Sequence, residues 1–369
     1  MISGHATAEG TARYAVRFAG QVPGEYFRAF ADGLRLSTIG LGTYLGRDDA
    51  ATDALYEKAV ARALERGINV IDTAVNYRHQ RSERAIGAAL ARAIDQGSIR
   101  RDEVVVATKG GFLPFDTDVP AEPNRYFSAT YVQTGIVRPG DVVGSHCMTP
   151  RYLTDQIERS RANLGLSTLD IYYVHNPESQ LEEVARDQFM VRLRAAFETL
   201  EQAARDGRIR CYGTATWNGY RVDPDAPGYL SLADLVALAR DVGGEDHRFR
   251  VVQLPYNLAM PEAFTRANQK AEDGLVPTLE AARRLGLYVM ASASVYQGQL
   301  TRNLPPVIAE FLPGLTTDGQ RALQFVRSTP GIGTALVGMK SVAHVEENAA
   351  VVTTPPVPWK QFQRLFSPA

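Results

Sequence analysis

Two periodicities of apolar and polar positions take turns along this chain. Stretches with helical spacing end in a glycine, and a short apolar run begins at once: "ALERGINVIDT", "RANLGLSTLDIYYVH", "AARDGRIRCYGTA" and "AARRLGLYVMASA". Gly67, Gly165, Gly207 and Gly286 fall where a left-handed helix cap belongs. In the helical stretches Tyr56, Ala59, Val60, Ala63 and Leu64 recur on one face, as do Met190, Leu193, Phe197 and Leu200. Thr149 and Pro150 read as the N-cap and first-turn residue of a helix running to Leu164.

The apolar runs are "STIGLGTY", "INVIDT", "EVVVATK", "LDIYYVH", "RIRCYGTA", "FRVVQLPYN", "GLYVMAS" and "GTALVGM". They are apolar on both faces, as parallel strands covered by helices should be. Eight strands alternating with helices predict an α/β chain folded as one (β/α)8 TIM barrel over residues 1–369. A doubly wound sheet is the rival. It would need a G-x-G-x-x-G turn, and "GLGTYLG" lacks the third glycine at that spacing.

Two segments lie outside the minimal barrel. Residues 1–33 form an N-terminal extension or hairpin, expected across the barrel bottom. Residues 110–148 form a long loop after strand three, on the face where barrel active sites are built. Its aromatics, Phe112, Phe115, Tyr126, Phe127 and Tyr131, argue that it is ordered, either lining a pocket or anchoring the loop. His146 and Cys147 stand side by side in it. Adjacency on a loop is more often incidental; the alternative is that His146 reaches the mouth.

Composition narrows the field. The chain has 369 residues, 45% hydrophobic and 22% charged, with a net charge of -1, which is ordinary globular composition. No long run of one sign is present, so neither nucleic acid nor an anionic membrane is an expected partner. Two cysteines, Cys147 and Cys211, suggest no disulfide framework and fit a reduced, cytoplasmic setting. The N-terminus lacks the continuous apolar run of a secretory signal, and no run approaches the length of a membrane span. The six histidines form no close ligand motif, so metal catalysis is not expected.

Polar residues close many of the apolar runs: Asp72, Lys109, His175, Thr214, Thr216, Gln253 and Ser292, with Lys340 just after the eighth. Each alone has a bland reading as a cap, a strand end or a satisfied core residue. Together at one barrel end, Asp72, Lys109 and His175 point to chemistry, because unpaired polar groups in apolar strands are costly. Tyr77 stands five residues beyond Asp72 in a polar segment where packing gives it no reason to be. A free phenol has a pKa near ~10. A lysine ammonium beside it is expected to lower that value, with the aspartate holding the lysine and the histidine orienting a carbonyl oxygen. Such a site suits carbonyl reduction with Tyr77 as general acid, the hydride coming from a nicotinamide cofactor.

These motifs resemble the aldo-keto reductase superfamily from about residue 34 onward. "NVIDTAVNY" followed by "RSE" is similar to that family's most specific signature, and "VVVATK", "LDIYYVHNPE", "VVQLPYN" and "LVGMKSVAHVEEN" resemble its lysine, histidine, glutamine and cofactor segments. The resemblance implies a catalytic tetrad of Asp72, Tyr77, Lys109 and His175 and an NADP(H) cofactor extended across the mouth. Gly42, Thr43, Thr216, Gln253 and Ser292 would then serve its nicotinamide half. Lys340 and Ser341 would take the 2′-phosphate, and Glu347 and Asn348 would face the adenine. Tyr44, Trp217, Tyr126 and Phe127 are the expected pocket walls for a small carbonyl or alcohol.

Three departures stand out. Ser292 occupies the place of an aromatic that usually stacks on the nicotinamide. Trp217 replaces an asparagine beside Thr216, with Asn218 next in line. The loop after Lys109 is unusually long. Other readings of the same residues are a Schiff-base lyase using Lys109 as nucleophile and a non-catalytic NADPH-sensing module.

Overall fold

The structure, a computed structural model, describes residues 1–366; the last three residues of the expected domain lie outside the described residues. Eight parallel strands close into a barrel. They are β1 Ile39–Gly42, β2 Val70–Asp72, β3 Val105–Gly110, β4 Leu169–His175, β5 Ile209–Ala215, β6 Phe249–Pro255, β7 Tyr288–Ser292 and β8 Thr334–Gly338. Each pairs with its neighbour in sequence, and β8 returns to β1 with Gly338 opposite Gly42. The surrounding helices are α1 Ala50–Glu65, α2 Arg81–Asp95, α3 Pro150–Leu164, α4 Arg186–Arg205, α5 Leu232–Gly243, α6 Thr278–Arg284, α7 Asp318–Ser328 and α8 Val342–Ala349.

The two-residue period of a strand sorts its side chains into two cores. Ile71, Val106, Tyr172, Val252, Val289 and Val337 point outward into the layer shared with the helices. Val70, Val105, Ala107, Ile171, Tyr173, Val251 and Met290 point inward and fill the barrel. Two residues beyond the last of each inward series stand Asp72, Lys109, His175, Gln253 and Ser292. The same alternation that builds the packed interior therefore delivers these polar side chains to the top of the barrel.

The helix faces follow the sequence pattern. On α1 the buried residues include Tyr56, Ala59, Val60, Ala63 and Leu64, and Asp49 caps its start by accepting from the Thr52 amide at 2.8 Å. On α4 the fully buried stripe is Phe189, Leu193, Phe197 and Leu200; Met190, expected there, packs at its edge. The four glycines that end helical stretches all have left-handed backbones, φ +83°, +65°, +72° and +70° at Gly67, Gly165, Gly207 and Gly286. Thr149 occupies the N-cap of α3, but its side chain makes no capping hydrogen bond and instead contacts the Cys147 Sγ at 3.4 Å.

The N-terminal extension is larger than residues 1–33. A helix, Ala8–Val16, is followed by an antiparallel hairpin pairing Phe27–Ala29 with Arg35–Ser37. Phe30, Leu34 and Leu36 join the inward-facing cluster and so plug the bottom of the barrel. Buried Asp170 fastens this end: it accepts from the Ala6 amide at 2.7 Å, from Arg101 at 2.8 Å and from the Val106 amide at 2.8 Å. A second hairpin, Ala267–Ala271 with Gly274–Pro277, follows β6. Its polar sequence gave no strand alternation, because its buried Asn268 and Gln269 are spent on main-chain groups of residues 220–232.

The long loop 110–148 is ordered. It contains a helical turn, Pro123–Phe127, running into Ser128–Val132, and its Tyr131, Val137 and Cys147 form a small core with Tyr152 of α3. Among the described residues no helix is long and apolar enough to cross a membrane, and no cluster of His, Cys, Asp and Glu is arranged to hold a metal.

Leu36 is fully buried in the barrel plug. Leu36→Ala is expected to lower the unfolding free energy by about 2–5 kcal/mol, read as a shift of the urea midpoint.

Candidate active site

At the mouth, the end of β2 meets the end of β3. The Lys109 ammonium donates to Asp72 Oδ2 at 2.6 Å and to the Thr73 carbonyl at 2.8 Å. Both side chains are buried, Lys109 completely. The second carboxylate oxygen of Asp72 accepts from Gln253 Nε2 at 2.7 Å, across the barrel from β6. The Thr43 hydroxyl donates to the Asp72 carbonyl at 3.1 Å, and the Ser82 hydroxyl donates to the Thr43 carbonyl at 2.8 Å. Glu83 is buried and accepts from Thr108 at 2.6 Å and from Asn163 at 2.8 Å. Ser82 and Glu83 thus lock α2 to β1, β3 and α3.

Tyr77 sits over this base. Its ring lies 4.9 Å from the Lys109 ammonium, 5.0 Å from the Tyr44 ring and 5.9 Å from the His175 ring. The four residues expected to act together are therefore together. One expectation is corrected. Lys109 faces the ring of Tyr77, while its hydrogen bonds go to Asp72 and Thr73. Burial first, then the Asp72 carboxylate and Tyr44, hold the phenol well above its ordinary value. A phenol in that setting keeps its proton at neutral pH and gives it up less readily than a free phenol. Burial also pulls the Lys109 ammonium down, opposed by Asp72.

His175 is neutral at pH 7: burial, with Lys109 and His146 nearby, holds it well below the usual imidazole range. Its Nδ1 has no hydrogen-bond partner, and the same is true of the buried atoms Asn76 Oδ1, Glu178 Oε2 and Thr216 Oγ1. These four follow the C-terminal ends of β2, β4 and β5. Buried polar atoms without a protein partner are costly unless water or a polar ligand meets them.

The long loop reaches the site through its two ends. Phe112 packs edge-on to both His175 and His146, at 5.1 Å and 5.2 Å. His146 Nε2 meets the His175 carbonyl at 2.7 Å, and its Nδ1 meets Gln180 Nε2 at 3.0 Å. A carbonyl on one side and an amide donor on the other fix a neutral ring protonated at Nε2. Gln180 is held in turn by Arg192 of α4. At Gly111 a Cβ would stand 2.6 Å from the His175 carbonyl oxygen and 2.7 Å from His146 Nε2, so only glycine lets the loop pass this close.

The other expected residues divide. Tyr44 and Trp217 are exposed at the rim. Tyr126 and Phe127 pack within the loop's own core against Phe115 and Tyr131, so they anchor the loop. Gly42 and Ser292 end their strands. Trp217 and Asn218 both give their amides to Glu178, at 2.8 Å and 3.1 Å, and the Asn218 side chain lies outside. Lys340 is exposed at the start of α8, and Ser341 caps that helix by accepting from the His344 amide at 3.4 Å. Glu347 accepts from Thr317 at 2.9 Å, and Asn348 is buried.

Sequence reasoning missed Gln180, Glu178 and Arg78. Arg78, His79 and Gln80 follow Tyr77 with left-handed backbones, φ +49°, +52° and +71°. Such residues cost roughly 1–2 kcal/mol each when they are not glycine. Nothing in the letters "RHQ" announces this turn.

The chain is similar to known proteins. The family model described as "Aldo/keto reductase family" matches residues 38–306. D-threo-aldose 1-dehydrogenase of a Pseudomonas species is 28% identical over 191 residues, 50% of this chain and 51% of that protein, so the match spans about half of that relative's length. Aldo-keto reductase YhdN of Bacillus subtilis is 24% identical over 291 residues, 76% of this chain and 70% of that protein. The solved structure of an aldo/keto reductase from Klebsiella pneumoniae in complex with NADP and acetate superposes with a TM-score of 0.61 at 20% identity, covering 93% of this chain and 96% of that one.

Buried His146 is held down to about 4 from 6.5, chiefly by burial. The unfolded chain therefore takes up a proton near pH 6.5 that the folded protein refuses until about pH 4. The stabilisation is complete above 6.5 and is lost as pH falls toward 4, by about 3 kcal/mol for this ring. In His146→Gln the fall in urea-unfolding free energy between these pH values should be shallower by that amount.

Proposed function

The chain belongs to the aldo/keto reductase family, and from that premise we propose that it is an NADP(H)-dependent oxidoreductase interconverting a small carbonyl compound and its alcohol. The observation that carries this reading is the phenol of Tyr77 standing between the buried Lys109–Asp72 pair and a neutral His175.

The residues present fit the cofactor. Thr216 offers a buried hydroxyl without a partner, suited to a carboxamide. Lys340 is exposed beside the Ser341-capped start of α8, which suits a phosphate. Gly42, Thr43, Gln253 and Ser292 would accompany Thr216 along the nicotinamide half, and Glu347 and Asn348 would lie toward the adenine. When bound, NADPH supplies the hydride.

In the reductive direction, His175 donates a ring N–H to the carbonyl oxygen and orients it. The carbonyl carbon gains the hydride, and Tyr77 gives its proton to the oxygen as negative charge develops there, so an alcohol leaves and a phenolate remains. The Lys109 ammonium, 4.9 Å from the ring, stabilises that phenolate until water at the mouth restores the proton. Asp72 keeps Lys109 charged and in place. Tyr44 and Trp217 at the rim, with Phe112 beside His175, give the substrate apolar walls.

A Schiff-base lyase would need the Lys109 amine free to attack. Its nitrogen is fully buried and committed to Asp72 and Thr73. A sensing module would leave a placed phenol without a task.

Tyr77→Phe should lower kcat by about 10²–10⁴-fold over a panel of aldehydes and ketones while NADPH titration, followed by fluorescence, stays unchanged. Undiminished turnover would remove Tyr77 from the acid role. Lys340→Met should weaken NADPH binding by about tenfold and leave NADH binding within about twofold, as expected for one charge-assisted phosphate contact.

A further inference from the structure

Tyr77 has few holds of its own. Its side chain is placed by ring contacts with Tyr44, His175 and Lys109, and its amide donates to the Ala74 carbonyl at 3.0 Å. Where its hydroxyl points is therefore set by the backbone that follows, the left-handed run Arg78, His79 and Gln80. Three such residues in a row, none of them glycine, persist only if the surroundings over-determine them.

The surroundings do so from three sides. The Arg78 side chain, 2% exposed, turns back under the segment. Its Nε donates to the Arg47 carbonyl at 2.8 Å, and its Nη2 donates to the Asp49 carbonyl at 3.2 Å and to Asp53 Oδ1 at 2.7 Å. The guanidinium also lies 5.4 Å from the Tyr56 ring. The other oxygen of Asp53 holds Arg81 at 2.7 Å, so one carboxylate on α1 grips both ends of the turn. From the long loop, the Thr117 amide donates to the His79 carbonyl at 2.9 Å, and Gln80 donates to the Phe115 carbonyl at 2.9 Å. From α3, Asn163 donates to Gln80 Oε1 at 3.1 Å.

We propose that Arg78, through Asp53 and the carbonyls of Arg47 and Asp49, is a positioning residue that holds the strained turn and thereby fixes the Tyr77 phenol between Lys109 and His175. Arg78 touches no reacting atom; it acts through the backbone of its neighbour. The inference rests on the oxidoreductase reading for its kinetic consequence, but not for its structural one.

Two rival ideas make different forecasts. If backbone conformation alone matters, glycine at position 78 should serve as well as arginine, because glycine adopts a left-handed backbone freely. If the buried clamp matters, glycine should fail as alanine does. The variants are Arg78→Ala, Arg78→Gly, Arg78→Lys and Asp53→Asn, with Tyr77→Phe as the reference for loss of the acid.

Amide hydrogen exchange of the free protein over residues 73–81 is the first readout. Arg78→Ala, Arg78→Gly and Asp53→Asn should each speed exchange there by about tenfold or more, with peptides from β4 and β5 unchanged. The second readout is NADPH-dependent reduction of an aromatic aldehyde. The same three variants should lose about 10²-fold in kcat, as a displacement of order 1 Å at a reacting group does, with KM for NADPH within about twofold of the parent. Arg78→Lys, which keeps the charge but not the fork, should recover part of the loss. Unchanged exchange over 73–81, or an Arg78→Gly enzyme as fast as the parent, overturns the proposal. If the parent reduces no carbonyl compound, the oxidoreductase reading falls, and the exchange arm still decides whether Arg78 holds the turn.

Discussion

Everything at the mouth of this barrel hangs on one carboxylate. Asp72 takes the Lys109 ammonium on one oxygen and the Gln253 amide on the other, and its carbonyl takes the Thr43 hydroxyl. Those partners belong to β3, to β6 and to the end of β1. In a ring of eight strands β2 and β6 stand opposite each other, so the contact to Gln253 spans the whole opening. A buried ion pair is weak as a source of net stability but unforgiving when one member is removed, because the other is left charged and dry. Here the pair that tunes the proposed chemistry also braces the barrel rim, and neither task can be altered alone.

Much of this was legible in the letters because strands have a period of two. Once the apolar runs are read as parallel barrel strands, Asp72, Lys109, His175 and Gln253 at their ends fall at one mouth, and the two-residue period turns them inward with Val70, Ala107, Tyr173 and Val251. Helix faces, glycine caps and the closing strand followed from equally local rules. What stayed hidden depends on contacts between distant segments. The direction in which the Tyr77 proton is biased comes from burial, which no motif encodes. The left-handed turn after Tyr77 uses arginine, histidine and glutamine, residues with no turn signature, held by an aspartate 25 positions away. The hairpin after β6, absent from the eight apolar runs, carries buried amide side chains that bond to distant main-chain groups.

The long loop shows how a segment can be functional at its ends and architectural in its middle. Tyr126, Phe127 and Tyr131 build a small core that ties the loop to Tyr152 of α3. At the mouth, Phe112 and His146 frame His175 from the side and from its own carbonyl. The loop's remaining length also buttresses the Tyr77 turn through Phe115 and Thr117. Tyr77 and His175 therefore share a support outside the barrel, besides the strands that carry them.

The plug at the other end of the barrel has a consequence for traffic. Phe30, Leu34 and Leu36 meet the inward side chains of the strands and close the lower end, so the packed interior offers no passage from below. In the proposed reaction, substrate, product and the proton that recharges Tyr77 would all use one door, the one rimmed by Tyr44 and Trp217. A bulky occupant at that door would keep water from the phenolate. On the proposed reading, turnover would then be ordered by departure, with the Tyr77 proton renewed only after the product has cleared the rim.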